Sequence, residues 1–202
     1  MRVIRAVSLL AIAALSASVA LDAQAPLSKS DATKFQTKLA QIEANGAHPR
    51  KPKSPARSTQ VSDAEVNAYF KFLAGSQVPV GIVDPTLHAS GNGRVTGRAV
   101  VDLDAVRTQK KRAWTDPLGY LTGKLPVTAA GTLTTENGVG RFTLESAEIS
   151  GVTIPKSLLQ ELLSYYSKTK DNPAGINMDD PFQLPAAIQD IRIGQGVATI
   201  VQ

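Results

Sequence analysis

The tightest constraint on the fold is a change of phase inside one strand pattern. Leu125, Val127, Ala129, Gly131 and Leu133 alternate cleanly with their neighbours, as a strand with one buried face does. Asn137-Gly138 then supplies a hairpin turn. The returning segment, Gly140 to Ser150, begins with apolar residues at even positions, Phe142 and Leu144, and continues with them at odd positions, Ala147 and Ile149. A slip of one residue turns a whole strand face over, so both halves can face one core only if an extra residue is accommodated. The sequence therefore predicts a bulge or sharp bend near Glu145 or Ser146, and bulged strands belong to curved sheets.

Other segments repeat the strand theme. Gly81 to Ala89, the turn Ser90-Gly91-Asn92-Gly93 and Arg94 to Asp104 read as a hairpin, with Val95, Gly97, Ala99, Val101 and Leu103 on one face. Near the C-terminus, Ile191, Ile193, Ile200 and Val201 flank a Gly194-Gln195-Gly196 turn. Helices are interspersed. Ser62 and Glu65 form a capping box ahead of Val66, Tyr69, Phe70 and Leu73, with Gly75 as the stop and Phe72 off that face. Pro155 opens a helix ending near Lys168, in which Leu158, Leu159, Leu162, Leu163, Tyr165 and Tyr166 fill an arc of about 160°. An arc so wide suits a helix cradled by a curved sheet, or one whose extra flank touches something else. Thr115-Asp116-Pro117 starts a short helix to Leu121, and Thr169 to Asp180 is a polar loop.

The first residues address the chain elsewhere. Arg2 and Arg5 flank an apolar run, Ala6 to Ala20, followed by Ala23-Gln24-Ala25, which reads as a secretory signal over residues 1–23 with cleavage near Ala20 to Ala25. The run is too short and too rich in alanine for a retained membrane anchor, so the expected location is the periplasm or the medium. Residues 24–59 then hold a helix, Ser28 to Gly46, capped by Ser30 or Asp31. A polyproline-like linker follows, His48 to Thr59, with Pro49, Pro52 and Pro55 among Arg50, Lys51, Lys53 and Arg57. The folded domain is expected over residues 60–202. Without Arg2, Arg5 and Asp22 the net charge is +4, modest enough to favour anionic lipid or cell-wall polymers as acidic partners and to leave nucleic acid aside.

Little in the chain points to catalysis. The 202 residues include no cysteine and two histidines, which excludes disulfides, thiolate nucleophiles and Cys-based metal sites. His48 lies in the linker, His88 lies in a strand, and no Gly-x-Ser-x-Gly elbow is present. Glu145, Glu148 and Glu161 are dispersed over strand and helix positions, with nothing to gather two of them at a glycoside. Asp171, Asn172, Asn177, Asp179 and Asp180 supply oxygen ligands without the spacing of a calcium loop. Gly91-Asn92-Gly93 turns into a strand and cannot cradle phosphate at a helix start. The expectation is no catalytic residue, no metal and no cofactor.

Three stretches carry a family resemblance: Val61-Ser62-Asp63-Ala64-Glu65-Val66-Asn67-Ala68-Tyr69-Phe70, Ser150-Gly151-Val152-Thr153-Ile154-Pro155, and Leu184-Pro185-Ala186-Ala187-Ile188-Gln189-Asp190-Ile191-Arg192-Ile193. From Gln60 to Gln202 the chain resembles exported bacterial relatives of the tubular lipid-binding (TULIP) superfamily, in particular its single-module members of the LmeA type. The resemblance implies an α+β fold, a long, strongly curved antiparallel sheet wrapped around amphipathic helices, with an apolar groove for acyl chains. Inward-facing Gly97, Ala99, Ala129 and Gly131 take little volume and leave room opposite the wide helix arc, for close helix packing or for a ligand. With Leu158, Leu162 and Tyr165 set against the sheet, Leu159, Leu163 and Tyr166 become the candidate lipid-binding residues, joined by Phe72. Arg107, Lys110, Lys111 and Arg112 with Trp114 form a candidate contact with an anionic membrane. The alternative is an exported scaffold with a closed core that docks a protein or cell-wall partner.

Overall fold

A computed structural model of the chain describes residues 26–48, 54–108, 122–170 and 172–202. The expected signal sequence, residues 49–53 of the proline-rich linker and the short helix after Trp114 lie outside the described residues, and the end of that linker, Ser58 and Thr59, is already strand, because it pairs with Val201 and Ile200.

Among the described residues, the fold has two antiparallel sheets and four α-helices. The larger sheet has the order β2-β3-β4-β5-β6, formed by Ile82–Gly91, Arg94–Asp102, Lys124–Glu136, Val139–Ile149 and Val152–Thr153, with β7 (Phe182–Gln183) also paired to β5. The smaller sheet has β9 (Val197–Val201) between β1 (Ser58–Ser62) and β8 (Asp190–Gly194). The single long sheet that the family resemblance implied is thus divided. The terminal hairpin pairs with β1, and meets the larger sheet through a bridge between Ser90 and Gln195 and a bond from Gly196 N to Ala89 O.

The phase change in β5 has its expected cause. Ala130 pairs with Ser146 and Gly131 with Leu144, which leaves Glu145 as the extra residue of a bulge. Leu144 and Ala147 consequently share a face. Glu145 turns to the opposite face, where its carboxylate accepts from Thr132 Oγ1 at 2.6 Å and pairs with Arg94 at 3.0 Å.

Helix α1 (Lys29–Ala47) is capped by Ser28, whose hydroxyl accepts from Asp31 N, two or three residues before the caps the sequence suggested. It belongs to the core of the domain that the sequence began at residue 60. Phe35 meets the Tyr69 ring edge-on at 5.1 Å, beside buried Ala32, Ile42, Val61, Ala68 and Tyr69. Lys38 Nζ donates to both carboxylate oxygens of Glu65, at 2.7 and 2.8 Å. Burial alone would raise the Glu65 carboxyl, but the Lys38 ammonium and the Ser62 N–H outweigh it and hold it below its ordinary value. Glu65 and Ser62 complete the capping box at the start of α2 (Asp63–Phe72). The end of α1 reaches the loop before β8, where a Cβ on Gly46 would lie 2.5 Å from Ala186 Cα. Ala186 and Ala187 both adopt left-handed φ, 53° and 54°. Gln202, 6% exposed, ties the same place together: its Nε2 donates to Ile42 O and Ala186 O, and its Oε1 accepts from Asn45 Nδ2.

Helix α2 also covers the outer edge of β2. The Asn67 amide donates to Leu87 O at 2.9 Å and accepts from Leu87 N at 2.7 Å, the two bonds a neighbouring strand would make. Asp63 accepts from Ala89 N and lies 2.8 Å from His88 Nδ1.

Candidate amphiphile-binding face

Strand register gathers the alternating apolar residues on one face of the larger sheet. One row runs across four strands as Leu87, Gly97, Ala129 and Ala147; the next holds Ala89, Val95, Gly131 and Leu144; on the other side lie Ala99, Val127 and Ile149. The opposite face carries Thr96, Arg98, Thr128, Thr132 and Glu148. Alternation at period 2 is enough to sort them so.

The apolar face is only partly covered. Ala89 and Ala147 are buried, but Leu87, Val95, Val127, Leu144 and Ile149 keep partial access to solvent. Its two glycines differ. A Cβ on Gly131 would collide with the Phe142 ring, 2.5 Å from Cζ, so that position is filled from the neighbouring strand. At Gly97, among the described residues, a Cβ would meet nothing within 4 Å except Thr86 O at 3.9 Å.

Helices flank this floor at opposite edges, α2 beside β2 and α4 (Lys156–Ser167) beside β5. On α4, Leu162 is buried at 8% exposure while Leu158 is exposed at 41%. The edge of Leu158, Leu162 and Tyr165 is therefore not laid wholly against the sheet, as the sequence had suggested. Leu159, Leu163 and Tyr165 are half-buried, and the Tyr166 side chain lies outside the described residues. Phe72 is half-buried at the end of α2, its ring 5.5 Å from Lys71 Nζ, and so belongs to the β2 edge, across the sheet from the α4 candidates.

The polar flank of α4 has a partner that periodicity could not reveal. Gln160 donates to Ile176 O at 3.0 Å and accepts from Met178 N at 2.8 Å, and Ser167 Oγ accepts from Ile176 N at 2.7 Å. Residues 172–180 thereby form a strap along the helix, with Gly175 against Ser164 O, where a Cβ would overlap. Asp179 pairs with Lys156, and its carbonyl accepts from Arg141. The oxygen-rich loop is thus engaged by α4 and β5.

Among the candidate membrane contacts, Arg107 lies in the last turn of α3 (Leu103–Thr108), 3.5 Å from Asp104. Lys110, Lys111, Arg112 and Trp114 lie outside the described residues. The structure begins α3 at Leu103, so Leu103 and Asp104 leave the strand to which the sequence assigned them. A separate open depression of about 420 Å³ beside the β4–β5 turn has a mixed lining, with Thr134, Glu136, Asn137 and Arg141 beside Val139 and Pro181. No helix among the described residues is long and apolar enough to cross a membrane.

Comparison with known proteins adds little. No protein-family model matches the chain, and no curated protein is similar to it at a significant level. Among solved structures, a lipopolysaccharide binding protein aligns at 16% identity over 76% of this chain and 44% of that one, with a TM-score of 0.22. The chain spans less than half the length of that structure. A TM-score of 0.22 is too small for fold or ligand to be carried across.

Proposed function

We propose that this protein is exported and, without catalysing a reaction, binds a lipid or similar amphiphile at the cell envelope. The observation that carries this reading is the apolar floor around Gly97, where no described side-chain atom outside its chain neighbours lies within 4 Å of the position a Cβ would take. A packed interior would fill that space, because protein cores reach crystal-like density. Each methylene removed from water contributes about 0.8 kcal/mol, so a chain segment of about six to eight methylenes offsets much of the cost of association. No reacting group is required.

The proposed lining is Leu159, Leu163 and Tyr166 of α4 along one edge and Phe72 along the other, with Arg107, Lys110, Lys111, Arg112 and Trp114 toward an anionic membrane. Native mass spectrometry of the protein, gently purified from its own host, tests the reading directly. A bound mass that extracts into organic solvent supports it. A stoichiometric protein partner with no extractable amphiphile would replace it with the scaffold reading.

A further inference from the structure

The apolar face of the larger sheet is filled unevenly along its strands. Its rows lie two residues apart, about 7 Å, and along β4 they pass through Leu125, Val127, Ala129, Gly131 and Leu133. The first rows, Val101 with Leu125 and Ala99 with Val127 and Ile149, keep partial access to solvent. In the row of Ala129 a Cβ on Gly97 would find only Thr86 O, 3.9 Å away. In the next row the surface rises. The Phe142 ring leans across from β5 to the point where a Gly131 side chain would begin, with Cζ 2.5 Å and Cε1 3.0 Å from it. Further on, two ring carbons of Phe182 lie 2.7 Å from the Cβ position of Gly140, and Leu184 Cδ2 lies at 3.3 Å. Thr135, opposite Gly140, is bonded to Ile191 N and Asp190 of β8. Two rings, Leu184 and β8 therefore close one end of the face, and Phe142 is the first of them that is met from Gly97.

A ring over a strand glycine covers backbone that would otherwise be exposed, which is a gain in stability alone. The position of Phe142 adds a second effect. It is half-buried, so the ring still borders the space over the floor, and a chain lying along the strands past Gly97 meets it end-on. A chain too short to reach the ring leaves apolar floor in water, and a longer one has to turn its last carbons back into water. Each methylene so exposed is worth about fourfold in Kd. From the row of Leu125 to the row of Gly131 the floor runs about 20 Å along β4. An extended carbon chain advances about 1.25 Å per bond, so about sixteen carbons span that length. We propose that Phe142 is the end stop of the amphiphile site and sets the length of the unbranched acyl chain that the protein selects. The end stop rests on amphiphile binding at the floor and adds to it a preference for chain length.

The test is displacement of a fluorescent fatty acid from the full chain by unlabelled saturated fatty acids of about ten to about twenty-two carbons. Wild-type affinity is expected to rise about fourfold per methylene and to stop rising near about sixteen carbons. Phe142→Ala frees the row of Gly131, about 7 Å, and should carry that plateau about five carbons further. Phe142→Leu should carry it a shorter way, which keeps the test decisive if the alanine variant unfolds; urea melts on the same samples report folding. Phe182→Ala should leave the plateau in place, because Phe142 still stands in front of it. A merely structural Phe142 predicts lower stability with an unmoved plateau. An unmoved plateau in folded Phe142 variants, or an equal shift in Phe182→Ala, would overturn the end stop and leave amphiphile binding standing. A wild type that takes up no fatty acid of any length would overturn both.

Discussion

Replacing Gly97 by leucine separates an open floor from a closed core. A Cβ there would meet only Thr86 O, at 3.9 Å, so the new side chain starts without a clash, and on the open-floor reading the rest of it enters free space. Glycine inside a strand is destabilising by roughly 0.5–1 kcal/mol relative to alanine, and Gly97→Leu should be at least as stable as wild type. The leucine side chain would occupy the room of about four methylenes of a bound acyl chain, worth about 3 kcal/mol or roughly a hundredfold in Kd. Urea denaturation gives the first quantity and titration with a fluorescent fatty acid the second. Gly131→Ala is the internal control: its Cβ would lie 2.5 Å from both Phe142 Cζ and Thr143 O, and the expected loss is about 1–3 kcal/mol. A Gly97→Leu protein destabilised as much as that control, or one that binds fatty acid like wild type, would refute the open-floor argument.

Further outcomes follow from other parts of the molecule. Leu163→Gln should lower lipid occupancy with secondary structure kept, as circular dichroism and extraction on one sample will show; in a closed core the buried amide would instead cost about 2–3 kcal/mol. Gln202→Ala removes the bonds to Ile42 O, Ala186 O and Asn45 and should lower stability by about 2–3 kcal/mol in denaturant melts. Because Glu65 titrates below its ordinary value when folded, its contribution is complete above the unfolded pKa and lost as pH falls through the folded one. The acid limb of the stability–pH curve should therefore flatten in Glu65→Gln, and an unchanged limb would contradict that assignment.

Local chemistry was legible in the sequence wherever neighbours in the chain carry it. The Ser62–Glu65 capping box, the Asn137-Gly138 turn and the extra residue at Glu145 all express short-range rules, and the pairing of Ala130 with Ser146 and Gly131 with Leu144 follows the apolar phase. What escaped depends on contacts between distant residues. In α1 the apolar residues Phe35, Leu39 and Ile42 make only a thin stripe, which gives no sign that the helix joins the core, because its partner Tyr69 and the Lys38–Glu65 pair lie far along the chain. Likewise, Gln160 and Ser167 fall outside the apolar arc of α4, and nothing in their spacing reveals that Ile176 and Met178 are their partners. For the candidate site, the small residues of the floor were visible by alternation. The difference between Gly97 and Gly131 was not, since it turns on where the Phe142 ring lies.

The Asn67 clasp on β2 bears on self-association. An unpaired strand edge offers a row of donors and acceptors to any other extended chain, and proteins that leave such edges bare tend to aggregate. Here a single amide occupies both outward groups of Leu87, and Asp63 takes the N–H of Ala89. Asn67→Leu would leave much of α2 packed but strip Leu87 of both partners. The resulting defect should grow with protein concentration, as turbidity and light scattering would record, even where the melting point of the dilute protein moves little. In a chain with no cysteine, and so no disulfide to hold partly opened molecules near the native form, that one side chain guards solubility.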